Sequence, residues 1–179
     1  MKGVVFTEFL DHVDAHYGLH VAEEIIEANE LESCGHYTAV GTYKCSELMA
    51  LVGALSEETG KQAQELVHRF GVDLADTFRR QHPGYFDVTD YFDFIESIDS
   101  RIHVEVRKLY PDAELPRFDT VRRTDEVLVV DYVSNRALEA LACGLLVGSA
   151  KHFGDIVDVT MAPVVDSETR IIRLTIRRL

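Results

Sequence analysis

The hydrophobic period of this chain changes at Pro111, and that change constrains the fold more than any other feature. Upstream, apolar residues recur every three or four positions, the spacing of amphipathic helices. Val5, Phe6, Phe9, Leu10 and Val13 form the first stripe, and residues 19–29 the second. Leu48, Met49, Leu51, Val52 and Leu55 follow a candidate N-cap at Ser46 and end at Gly60. Leu66, Val67, Phe70, Leu74 and Phe78 mark a fourth helix over 61–80, and His82-Pro83-Gly84 breaks it. Residues 89–110 are helical again through Phe92, Ile95, Ile98, Ile102, Val106 and Leu109, with a candidate restart at Asp99-Ser100. Downstream, 117–122, 127–132, 156–164 and 170–177 are rich in Val, Ile and Thr and read as strands, with a hairpin turn at 164–168. A long apolar helix over 136–153, closed by Gly154, separates the second strand from the third. The expected fold class is α+β: an N-terminal helical part, then a four-stranded antiparallel sheet with one inserted helix.

The 179 residues fit one compact domain, expected over 1–179, with no linker or internal repeat. The opening Met1-Lys2-Gly3-Val4-Val5-Phe6 lacks the apolar core of a signal peptide. No run is long enough to span a bilayer, so the expected location is cytoplasmic and away from membranes. The net charge of −13 argues against nucleic acid, whose phosphates are bound through Lys and Arg. The basic residues that do occur gather late, at Arg117, Arg122, Arg123, Arg170, Arg173, Arg177 and Arg178. They read as a solvated strand face or as a partner-binding surface. Three cysteines, Cys34, Cys45 and Cys143, make neither a disulfide framework nor a C-x-x-C zinc site. Cys143 lies in an apolar helical run and reads as a packed thiol. Cys34 and Cys45 flank turn residues and read as surface thiols, and a redox role for any of the three is left open.

Two segments carry chemistry. His103 sits at the edge of a helical apolar stripe, four residues after Asp99. A neutral imidazole there can offer one nitrogen to a metal and the other to a supporting acceptor; a buried, hydrogen-bonded histidine fits the same spacing. In Tyr132-Val133-Ser134-Asn135-Arg136, Tyr132 and Ser134 share a strand face, and Ser134 or Asn135 is placed to cap the helix that follows. Two hydroxyls and a guanidinium fork suit a carboxylate ligand; a capped strand-to-helix junction with a surface Arg is the alternative.

Together, an Ile102-His103 helix followed by Tyr-x-Ser-x-Arg resembles the H-NOX family, the haem nitric oxide/oxygen binding domains. The resemblance also takes in the Met1–Phe6 opening, the 92–110 stretch, the Pro111-Asp112-Ala113-Glu114-Leu115-Pro116 segment and His152-Phe153-Gly154. It implies haem b held between the helical and sheet parts, with His103 as the iron ligand. Tyr132, Ser134 and Arg136 would hold the propionates, and Pro116 would pack against the macrocycle. Oxygen-binding members carry a distal Tyr supported by Trp and Asn; Leu141, Phe9 and Leu74 stand at those positions here. With Val5, Phe78 and Leu145 as further walls, the resemblance implies an apolar distal side. Such a site would bind nitric oxide and carbon monoxide and exclude oxygen. Nitric oxide would weaken the iron–His103 bond and shift the His103 helix.

An enzyme is not expected, because no nucleophile–base pair or phosphate-binding glycine loop occurs. Gly144 and Gly148 read as close-packing positions in a helix. His12, His16 and His20 step by four, but Gly18 interrupts them, and His36, His68 and His82 are scattered. The chain closes at Leu179 on an expected sheet edge, with no output module. A separate partner is therefore expected, which for bacterial members of this family means a histidine kinase or a cyclic-di-GMP enzyme. An oxygen-binding or haem-carrying protein, or a haem-free interaction domain of the same fold, is the alternative.

Overall fold

The computed structural model describes residues 1–165 and 170–179. The chain divides into two compact units, Met1–Phe70 and Gly71–Leu179. The boundary falls inside one helix, α4 (Ala63–Gln81). No helix among the described residues is long and apolar enough to cross a membrane.

The first unit holds α1 (Val4–Tyr17), α2 (Leu19–Glu27), α3 (Cys45–Thr59) and the start of α4. Gly18, at φ 95°, separates α1 from α2 and removes His20 from the helix that carries His12 and His16. Ser46 does not cap α3. The helix already begins at Cys45, so Ser46 lies within its first turn, and Lys44 precedes it without a side-chain cap. Glu47 turns inward instead and accepts hydrogen bonds from Ser33 Oγ and from Tyr37 Oη at 2.9 Å. Gly60 closes α3 in the left-handed region, as expected.

The second unit holds the rest of α4, α5 (Tyr91–Ser97), α6 (His103–Leu109), β1 (Arg117–Arg123), β2 (Val127–Val133), α7 (Glu139–Ala150), β3 (Val157–Pro163) and β4 (Ile171–Arg178). All three strand pairings are antiparallel, in the order β1-β2-β4-β3. The last strand is thus interior rather than at an edge, because β4 pairs with β2 on one side and β3 on the other. Residues 166–168 of the expected hairpin turn lie outside the described residues. Leu128, Val130 and Tyr132 of β2 and Ile172, Leu174 and Ile176 of β4 alternate inward. They pack against Phe92 and Ile95 of α5 and Ala142 and Leu146 of α7. Tyr91 Oη donates to the Leu146 carbonyl at 2.7 Å and joins the two helices. Cys143 is buried, and burial pushes its thiol up to about 11, so it is the packed thiol expected.

α7 crosses α4 closely in this unit. A Cβ on Gly71 would stand 2.6 Å from the Leu141 carbonyl oxygen and 3.0 Å from Gly144 Cα. One on Gly148 would meet the Val72 carbonyl oxygen at 2.4 Å. The glycines in the apolar helix are therefore close-packing positions. That helix starts at Glu139, later than the expected 136, because Ser134 Oγ accepts the Arg136 N–H at 3.1 Å and holds a turn ahead of it.

Asp90 ties α5 to the sheet. Its Oδ1 caps the helix, accepting from Phe92 N at 2.9 Å and Asp93 N at 3.2 Å. Its carboxylate also pairs with Arg178 at 2.5 Å and Arg123 at 3.2 Å. Burial raises the Asp90 carboxyl, but Arg178 and the two N–H groups outweigh it and hold it below the usual range. A depressed carboxyl stabilises the fold above the unfolded value of about 3.9 and loses that contribution as pH falls through the folded value. Asp90→Ala is expected to cost about 1–2 kcal/mol at pH 7, from the cap and the half-exposed pairs. Thermal melts at pH 7 and in acid check this: the gap between variant and parent should shrink as pH falls, and a gap of unchanged size would exclude the charge. Of the other late arginines, Arg173 forks onto Asp131 at 2.8 and 2.9 Å, Arg170 pairs with Glu139 and Arg117 with Asp119.

Candidate metal and cofactor site

His103 opens α6, and the turn before it, Ile98–Ile102, is π-helical. Such wide turns are rare and cluster at functional positions. Here the turn carries Asp99, whose carboxylate has two partners. Oδ1 lies 2.6 Å from His103 Nδ1, and Oδ2 accepts the Phe118 N–H of β1 at 2.7 Å. Burial raises the Asp99 carboxyl; the His103 hydrogen bond, the Phe118 N–H and the charges of His103 and Arg107 outweigh it and keep it below its usual range. The ionised carboxylate fixes the His103 ring through Nδ1 and leaves Nε2 as the nitrogen a metal could take. His103 is only 9% exposed, so the ring stands in a largely dry setting. Arg101, on the same π turn, donates to the Gly84 carbonyl at 2.8 Å and the Asp87 carbonyl at 3.2 Å.

Beyond His103 the rings continue. The Phe118 ring lies 6.3 Å from that of His103, and Tyr132 meets Phe118 edge-on at 5.5 Å. Tyr132 ends the inward row of β2, and Ser134 and Arg136 follow in the loop before α7. The expected cap on α7 is absent: Ser134 serves Arg136 instead. The Arg136 guanidinium donates to the Glu114 carbonyl at 2.9 Å and to the Glu114 carboxylate at 2.5 Å. Pro116 is half-buried at the entry to β1, two residues after Glu114. His103, Pro116, Tyr132, Ser134 and Arg136 thus all belong to the second unit.

Leu74 and Phe78 lie on α4, and Leu141 and Leu145 on α7, the two helices that cross at Gly71. Leu74 and Leu141 are buried, and Phe78 and Leu145 half-buried. Val5 and Phe9 lie on α1 of the first unit, with Phe9 fully buried against Phe70 at 5.2 Å between ring centres. None of the six side chains carries a hydrogen-bond donor.

The family model described as Haem-NO-binding matches residues 2–161. The chain belongs to the H-NOX family. Its members are haem-based gas-sensor domains. Solved H-NOX structures align over the whole chain. The Fe(II) unliganded H-NOX protein from K. algicida is 35% identical, with a TM-score of 0.92 over 100% of this chain and 97% of that one. The S. oneidensis H-NOX protein in the Fe(II)NO state is 27% identical, with a TM-score of 0.89 over 100% and 99%. The H-NOX from Shewanella woodyi, in the Fe(II)CO state and bound to IWP-051, is 37% identical, with a TM-score of 0.83 over 100% and 95%. No curated protein matches the sequence.

The donors of this H-NOX chain fit haem. His103 has one nitrogen committed to Asp99 and the other left for iron. Arg136 already grips a carboxylate, that of Glu114, which is the chemistry a propionate presents. Sequence reasoning read Asp99 only as a candidate helix restart and gave Glu114 no role. Asp99 was legible as a carboxylate four residues before His103 on a helix. Glu114 was not, because only the fold brings it to Arg136.

Proposed function

We propose that residues 1–179 work as one haem-based nitric oxide sensor that controls a separate signalling partner. The observation that supports this reading is the His103–Asp99–Phe118 connection, a buried imidazole tied through one carboxylate to the first strand of the sheet. Haem b held at His103 would supply a ferrous iron that can bind a diatomic gas and, with nitric oxide, loosen its hold on the histidine. The chain's own residues do the rest. Asp99 orients His103 and makes its ring a stronger donor. Tyr132, Ser134 and Arg136 hold the carboxylates, and Pro116 bears on the ring edge. Within the second unit, Leu74, Phe78, Leu141 and Leu145 carry no hydrogen-bond donor, and such an apolar lining would disfavour oxygen, which needs a donor, and spare nitric oxide and carbon monoxide.

The output follows from the same contacts. A displacement of His103 would pull on Asp99 from both sides, because Asp99 holds the His103 ring and the Phe118 N–H of β1. Arg101 ties the same turn to the loop at Gly84 and Asp87. The π turn is thus a two-state element that a ligand can bias. A histidine kinase or a cyclic-di-GMP enzyme is the class of partner such an output would address.

The test is the visible spectrum of the reduced protein, first in air and then with nitric oxide. A five-coordinate ferrous spectrum that ignores oxygen and responds to nitric oxide is expected. A stable oxygen complex would overturn the choice of gas and leave an oxygen-binding or haem-carrying protein. A colourless protein after reconstitution would leave a haem-free interaction domain.

A further inference from the structure

We propose that Glu114 is a built-in competitor for the carboxylate grip of Arg136, so that this side chain sets how tightly the protein holds haem. The proposal rests on the haem reading. Arg136 is the guanidinium of the propionate set, and its NH2 is engaged by the Glu114 carboxylate at 2.5 Å. Its NH1 is engaged separately by the main-chain carbonyl of the same residue at 2.9 Å. The two contacts differ in kind. The carbonyl belongs to the segment leading into β1 and holds the guanidinium in place. The carboxylate is a second acceptor of the same charge and shape as a propionate, on a side chain 83% exposed and able to swing away, whereas Arg136 is 22% exposed.

Arg136 must release the Glu114 carboxylate before that edge of its fork can take another one. The guanidinium loses no anchor in the exchange, because the carbonyl contact and the Arg136 N–H to Ser134 Oγ at 3.1 Å remain. Glu114 therefore gives the guanidinium a carboxylate partner from the chain itself and works against a propionate at the same edge. It also adds a negative charge beside a dicarboxylate ligand in a chain of net charge −13.

The test is the equilibrium partition of haem between this protein and apomyoglobin, with Glu114→Gln compared against the parent. Glutamine keeps the main-chain carbonyl and removes only the charge. An ion pair this exposed is worth at most a few-fold in an equilibrium constant, so a shift of about two- to fivefold toward the variant is expected. The shift should vanish when both proteins also carry Arg136→Gln, which isolates the pair. The His103-ligated ferrous spectrum should be the same in Glu114→Gln and parent. A shift toward apomyoglobin would overturn the proposal and make Glu114 a positioning residue for Arg136. No shift, or one that survives in the Arg136→Gln background, would overturn it as well. Failure of the parent itself to take up haem is a separate result, and it would overturn the haem reading and this proposal together.

Discussion

Protein carrying His103→Gly is expected to hold haem only when free imidazole is supplied. It should then fail to pass a nitric oxide signal into α6. Glycine removes the ring but leaves Asp99 in place, still accepting the Phe118 N–H at 2.7 Å. A small imidazole can enter the space and donate to the same carboxylate, since the gap keeps a polar partner. What cannot be restored is the covalent link from that ring to the helix. Amide hydrogen exchange at α6, with and without nitric oxide, reads this directly: exchange should change in the parent and not in the imidazole-rescued variant. Full haem uptake without imidazole would remove His103 from its assigned role. The glycine costs about 1 kcal/mol of helix stability by itself, so His103→Ala serves as the control for folding.

The second large effect is on stability. Leu174→Ala is expected to destabilise the protein by about 2–5 kcal/mol, the usual cost of opening a cavity in a packed core. Leu174 is fully buried in β4, between Val130 of β2 and Met161 of β3. In a chain of this length that corresponds to a fall in melting temperature on the order of 10 °C. Met161→Ala, on the edge strand and 42% exposed, is expected to cost under about 1 kcal/mol. Equal losses at the two positions would contradict the strand order, because only an interior strand has no solvent into which a cavity can relax.

Much of this was legible before any coordinates. The period of three to four residues around Phe6, Phe9 and Val13, and the period of two around Leu128, Val130 and Tyr132, are local patterns that each element imposes on its own sequence. The element order and type followed. So did the glycines at 60 and 154, whose positive φ ends a helix without the cost a side chain would bear. The candidate site was legible for a different reason: His103 and the Tyr-x-Ser-x-Arg run are short contiguous signatures, and their family resemblance assigned roles that spacing could not.

The local rules failed where another group, near or distant, took up the atoms or the turn they had assigned. Ser134 looked like a cap for the next helix, but its oxygen is taken by the Arg136 N–H, and the helix starts later. Ser46 looked like a cap, but α3 begins at Cys45, two residues before the start such a cap implies, and Glu47 turns inward to Ser33 and Tyr37.

By itself, then, the sequence determined which segments are helix and strand and that the domain is α+β, because those depend on neighbours a few positions apart; the residues expected to face a haem came from the family resemblance. Only the tertiary structure decided that the last strand lies inside the sheet, that Asp99 joins His103 to β1, and that Glu114 sits on Arg136. Each of these is a contact between residues that the chain brings together only once the sheet and its helices have packed, and no local periodicity encodes it.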